Sequence, residues 1–176
     1  YDTVQELNPE IIYCSISGFG SDSPYSDVPA WDMLIQAMSG IMSMTGEPDG
    51  PPLWSGLMSG DLSAAMYTVQ SVLTALYAKE TGHIETEYIE IPMLDAAISW
   101  LSTRAGHSFG FDEPFPRFGT HHPTAAPFGV FECQDGKIVI AAGTESLWVD
   151  LCEALDRPDL VEDPRFETIG DRVDNH

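Results

Sequence analysis

The chain has 176 residues, of which 43% are hydrophobic and 10% aromatic, more apolar side chain than a disordered segment carries, so a packed core is expected. Asp and Glu total 28 against seven Lys and Arg, a formal charge of −21; this excludes a nucleic-acid binder, which needs clustered cations to neutralise phosphates. The apolar stretches are broken by Ser, Gly, Thr or Gln well before bilayer length, and the chain opens Tyr1-Asp2-Thr3 without a basic, apolar leader, so a cytoplasmic protein with no membrane partner is expected.

The acids are spread along the chain rather than gathered in a tail. That pattern fits a salt-adapted surface whose self-repulsion is screened by high salt. The three cysteines, Cys14, Cys133 and Cys152, are odd in number and lack metal-type spacing. They read as buried thiols in a reducing compartment.

In chain order, Ile11 to Ser17 is a short, β-branched run between Asn8-Pro9 and Gly18-Phe19-Gly20, which predicts a buried strand entering a loop. The loop to Pro29 is rich in turn formers. From Trp31 to about Met44, apolar residues recur at three- and four-residue steps, predicting a helix. Thr45 to Pro52 breaks the chain. Leu62, Ala65, Met66, Val69, Val72, Leu73, Leu76 and Tyr77 then trace one apolar stripe, the pattern of a helix packed on a core. Asp61 stands where its N-cap belongs, and Lys79 with Gly82 marks its end. A strand over Thr86 to Ile91 and a helix from Met93 follow.

Residues 106–127, with four Pro and three Gly, predict an extended linker. Beyond it, Gly129 to Cys133 and Lys137 to Ala142 flank Asp135-Gly136, a hairpin pattern. A helix from about Ser146 to Leu155 comes next. The strand, helix, helix, strand order predicts an α/β layer with parallel strands. Two such strands before residue 100 are fewer than a doubly wound sheet contains, so further pieces of each domain are expected outside this chain.

The chemistry is sparse. Gly18-Phe19-Gly20 after a strand invites a dinucleotide reading, but Ser23 replaces the third glycine, and a tight turn accounts for the pattern. His121-His122 lacks a third ligand at a useful spacing, so no metal is expected. The methionines Met33, Met38, Met42 and Met44 fall at mostly helical spacing and read as core filling. Asp61 is both a cap and a candidate nucleophile, because a helix N-terminus favours an ionised carboxylate and only that form attacks. Gly56 and Gly60 upstream leave room for a ligand to approach the backbone.

Asn8-Pro9-Glu10-Ile11-Ile12-Tyr13, Ser17-Gly18-Phe19-Gly20, Gln36-Ala37-Met38-Ser39-Gly40, Thr45-Gly46-Glu47-Pro48 and Gly60-Asp61, in this order, resemble the class III CoA-transferase family. Leu94-Asp95-Ala96 and Pro127-Phe128-Gly129-Val130-Phe131 continue the match over nearly the whole chain. The resemblance implies Asp61 as the catalytic aspartate, acylated by an acyl-CoA to a mixed anhydride and then converted to an aspartyl-CoA thioester that a carboxylic acid resolves. CoA thioester is thus substrate, with no permanently bound cofactor and no metal.

The resemblance also implies substrate contacts from Gly18, Phe19, Gly20, Trp31, Asp32, Gln36, Gly60, Gly119 and His122. Racemases of the family place a histidine at the position of Trp31, and indole exchanges no proton at neutral pH, so Trp31 favours transfer over a 2-methylacyl-CoA racemase. A non-catalytic module of the same fold is the remaining alternative. The family architecture implies residues 1–105 as part of a Rossmann-like large domain, 106–127 as linker and 128–176 as the start of a small α/β domain, in an interlocked homodimer. Most CoA contacts would lie outside this chain, so the 176 residues alone are expected to bind CoA poorly and to be inactive.

Overall fold

The structure is a computed structural model and describes residues 1–175. The chain forms a mixed α/β assembly of two compact units, Tyr1–Gly46 with Gly50–Arg117, and Glu47–Asp49 with the chain from Phe118 on.

In the first unit, a short helix α1 (Asp2–Leu7) precedes strand β1 (Ile12–Ser17). Helix α2 (Asp32–Ser39), a 3-10 turn (Met42–Met44) and helix α3 (Ser59–Glu80) follow. The chain returns through β2 (Glu87–Pro92) to α4 (Met93–Ser99) and α5 (Thr103–Phe111). The two strands pair in parallel, Ile12 opposite Glu87 and Ser17 opposite Pro92, as a strand–helix–strand crossover requires. Phe19, Ile35 and Ala97 form a small core, with Ala30, Leu34, Ile41, Met93 and Leu94 packed around it.

Three local departures from the sequence reading have identifiable causes. The helix expected over Trp31 to Met44 stops at Ser39, because Gly40 takes φ +93 and ends it in a left-handed turn. Residues 103–111 are helical rather than extended, so the first part of the segment predicted as an extended linker, 106–111, belongs to α5, which ends at Asp112, φ +56. The apolar stripe of α3 is not its packed face: Leu62, Met66, Val69, Leu73, Leu76 and Tyr77 are exposed. The helix instead lays Gly60, Ser63, Ala64 and Ala75 against its neighbours, since small residues let backbones approach closely.

The second unit is built on an antiparallel hairpin of β3 (Phe128–Cys133) and β4 (Gly136–Ala141), with Phe128 opposite Ala141 and Cys133 opposite Gly136. The two-residue loop is therefore Gln134-Asp135. Neither residue has positive φ, so it is not a primed turn, and Gly136 begins the second strand instead of bending the loop. Helix α6 (Glu145–Ala154) is capped by Thr144, whose hydroxyl accepts from Leu147 N. Helix α7 (Ile169–Asp174) opens with a reciprocal capping box of Thr168 and Asp171.

The cysteines divide by environment. Cys152 is buried and Cys14 half-buried, but Cys133 at the end of β3 is exposed, contrary to the expectation of three buried thiols. Burial pushes the Cys152 thiol up, and nearby Asp159 adds to the effect. A small alkylating reagent is therefore expected to label Cys133 first and Cys152 only on unfolding, which peptide mapping by mass spectrometry checks. No helix among the described residues is long and apolar enough to cross a membrane.

Candidate active site around Asp61

The first turn of α3 places Asp61. Its N-cap is Met58, which supplies no side-chain acceptor, so Asp61 is the third helical residue and not the cap that its position in the sequence implied. Ser59 N donates to Leu57 O at 2.8 Å and Leu62 N to Met58 O at 2.9 Å. The Gly60 N–H is taken by a residue 28 positions upstream: Asp32 Oδ1 accepts it at 2.8 Å. The Asp61 side chain is exposed and accepts no hydrogen bond among the described residues. It sits in the positive end field of a 22-residue helix.

Asp32 and Gln36 lie one turn apart at the start of α2 and are almost wholly buried, 8% and 0% exposed. Gln36 Nε2 donates to Asp32 Oδ2 at 2.7 Å and to Leu57 O at 2.6 Å. Trp54 Nε1 donates to Asp32 Oδ2 at 3.1 Å, and Ser55 N donates to Gln36 Oε1 at 3.2 Å. The segment 54–57 that leads into α3 is thus tied to α2 by side chains whose polar atoms are all engaged. Gly60 is obligatory at this junction: a Cβ there would stand 2.8 Å from Ile35 Cγ2 and 3.3 Å from Asp32 Oδ1.

The other residues singled out from the sequence lie in different local settings. Gly18, Phe19 and Gly20 form the turn after β1; Gly20 has φ +86 and donates to Ser17 Oγ at 3.0 Å, and Phe19 is in the core. Gly18 O accepts from Leu94 N at 3.0 Å. Trp31, directly before Asp32, is 69% exposed. Gly119 and His122 belong to the second unit. Gly119 has φ +57 with the Glu47 carboxylate against it. The His122 ring stacks on Phe128 at 4.9 Å, and the His122 backbone N–H donates to Phe128 O at 2.8 Å. Trp54, Ser55 and Leu57 were not read from sequence as parts of a polar network. The available signal was Asp32 and Gln36 four apart on a helix face shared with Ile35.

Beside the first turns of α3 lies an apolar cavity of about 300 Å³, lined by Ile41, Leu57, Leu62, Met66 and Trp100 among others. Among the described residues, no group of three or more His, Cys, Asp or Glu is placed to hold a metal.

Comparison with known proteins shows the family of the chain. The profile described as CoA-transferase family III matches residues 1–176. The acetyl-CoA:oxalate CoA-transferase of Acetobacter aceti is 39% identical over 178 residues, covering 100% of this chain and 45% of that protein. The succinyl-CoA:mesaconate CoA-transferase of Haloarcula hispanica is 39% identical, covering 99% of this chain and 44% of its own. A CAIB/BAIF family protein from Brucella suis superposes with a TM-score of 0.84 at 34% identity, over 99% of this chain and 46% of that one. The chain thus spans a little under half the length of these relatives, and it belongs to CoA-transferase family III.

Proposed function

We propose that the protein carrying this chain transfers CoA between an acyl-CoA thioester and a carboxylic acid, with Asp61 as the carboxylate that is acylated. The observation that carries the reading is an exposed, uncommitted carboxylate in the first turn of a 22-residue helix. An Asp61 oxygen attacks the thioester carbonyl and the C–S bond breaks, giving an aspartyl–acyl anhydride and CoA thiolate. The thiolate attacks the Asp61 carbonyl, releasing the donor acid as carboxylate and leaving an aspartyl-CoA thioester. The acceptor carboxylate attacks that thioester, forming a second anhydride and freeing the thiolate. The thiolate then attacks the acceptor's acyl carbon, so the new acyl-CoA leaves and Asp61 is regenerated.

Each attack builds negative charge on a carbonyl oxygen. Preorganised N–H donors supply the main electrostatic stabilisation in acyl transfer, and the positive end of α3 contributes in the same sense. The relatives are named for oxalate, mesaconate and glutarate, which supports small acids as the exchanged group. Trp31, the residue before Asp32, carries an indole that offers no base, which favours transfer over racemisation.

Substrate contacts are assigned to Trp31 directly and to Gly18, Phe19, Gly20 and Gly60 through backbone shape. Gln36 acts through the segment it holds, while Gly119 and His122 are assigned as a loop toward the substrate. The same reading takes residues 1–105 as part of a Rossmann-like large domain and 128–176 as the start of a small one. It places the protein in the cytoplasm as an interlocked homodimer.

Trapping tests it. The intact enzyme given acyl-CoA and hydroxylamine is expected to carry a hydroxamate on the Asp61 peptide, located by mass spectrometry. An unmodified Asp61 in enzyme that turns over would end the covalent assignment.

A further inference from the structure

We propose that Asp32 is a positioning residue: its buried carboxylate caps the N-terminus of α3 from the neighbouring helix and so leaves the Asp61 carboxylate free to react. The proposal deepens the transfer reading and rests on it. The α3 helix begins without a cap of its own, because Met58 at the N-cap position carries no side-chain acceptor. First-turn N–H groups need acceptors, and a carboxylate inside that turn is the nearest substitute for a missing cap. An Asp61 folded back onto its own helix would direct its lone pairs at the backbone and away from a thioester.

Asp32 removes that competition. Its Oδ1 takes the Gly60 N–H at 2.8 Å, and its Oδ2 is held by Gln36 Nε2 at 2.7 Å and Trp54 Nε1 at 3.1 Å. All three neighbours are donors, so the acceptor-only carboxylate is matched on both oxygens. Asp32 is also the first residue of α2, which places one carboxylate at the positive ends of two helices. Burial to 8% exposure removes water as a rival for these bonds. Gly60 is the residue that lets α3 come this close, since a Cβ there would meet Ile35 and the Asp32 carboxylate. Gln36 completes the device by holding Leu57 O and Ser55 N, so the backbone entering the first turn is anchored on both sides of Gly56. Asp32 and Asp61 therefore divide between them two roles that one aspartate at a helix start would otherwise combine.

The test separates capping from mere core packing. In the intact enzyme, Asp32→Ala is expected to lower kcat by about 30- to 100-fold with KM for acyl-CoA within about threefold, because the buried Asp32 presents the nucleophile and does not itself hold acyl-CoA. Hydroxamate yield at Asp61 falls in parallel. Adding Met58→Ser, on an exposed residue, places a hydroxyl acceptor at the N-cap position and is expected to recover about tenfold in kcat. A carboxylate needed only for packing in the α2 core gains nothing from that second change. An Asp32→Ala enzyme with kcat within threefold of the parent overturns the proposal. So does a loss that Met58→Ser leaves unrecovered at a temperature where circular dichroism shows the variant folded. Should Asp32→Ala not fold, Asp32→Asn is read instead: its side-chain oxygen still accepts from Gly60 N, so kcat within about threefold of the parent is expected, and a loss of about 30-fold or more in folded enzyme overturns the capping role. Absence of Asp61 acylation in the parent enzyme is a separate result: it overturns the transfer reading itself, and the purpose of the cap with it.

Discussion

Asp61→Asn is expected to abolish transfer, lowering kcat by on the order of 10³-fold or more, while leaving the fold and the melting temperature almost untouched. The amide is the same size and keeps the third position of α3, but it has no anionic oxygen to attack a thioester. Removing the nucleophile of a covalent mechanism removes the pathway and not one contribution to it, which is why the expected loss is several decades. Stability responds far less. Asp61 is exposed and accepts no hydrogen bond among the described residues, so the substitution forfeits only its interaction with the helix end, about 0.3–1 kcal/mol. The measurement pairs steady-state CoA exchange with a thermal melt of the same preparation. A variant retaining a tenth of the parental rate would rule out residue 61 as the acyl carrier, whatever its melt.

The contrast with Asp32 is instructive, because both residues are aspartates in the first turn of a helix. Asp32→Ala is expected to cost both rate and stability, since it leaves the Gln36 and Trp54 donors and the Gly60 N–H without an acceptor. Buried donors without partners cost about 1–3 kcal/mol each. The difference in exposure, 8% at Asp32 against an open Asp61, is what sets the two expectations apart.

Local grammar made much of the fold readable. The β-branched run at β1, the paired apolar runs of the hairpin and the long periodic segment of α3 each mark an element through local pattern. What the sequence withheld was which face of an element meets a partner. The stripe Leu62, Met66, Val69, Leu73 and Leu76 has the period of a core-facing surface, yet the packed face in this chain is Gly60, Ser63, Ala64 and Ala75. Periodicity records that a side is apolar; it does not record which surface covers it. The cap of α3 was unreadable for a related reason. Position assigned it to Asp61, because a local pattern has no access to an acceptor 28 residues upstream. Gly40 and Asp112, which end α2 and α5 by left-handed turns, carry signals that are visible only once the neighbouring helices are known to stop there.

In the second unit the largest expected effect on stability falls on Arg172. The guanidinium is 2% exposed. It donates to Ala126 O at 3.2 Å, to Phe166 O at 2.8 Å and to Glu145 Oε1 at 2.6 Å, and it lies 5.3 Å from the Trp148 ring. One cation therefore ties β3's approach, the 3-10 turn at Phe166 and α6 to α7. Arg172→Met keeps the apolar stem but leaves two carbonyls unmatched and the charge-assisted bond to Glu145 unmade. With each lost partner at about 1–3 kcal/mol, a destabilisation of about 3–5 kcal/mol is expected. The Glu145 side chain is 62% exposed and rehydrates when released, so Glu145→Gln is expected to cost no more than about 1 kcal/mol. The asymmetry is the test. Denaturant unfolding of the intact protein, followed by hydrogen exchange of the α6 and α7 amides, should show Arg172→Met opening this unit while Glu145→Gln stays near the parent. Equal effects from the two substitutions would mean that the ion pair, and not the buried carbonyl contacts, holds these elements together.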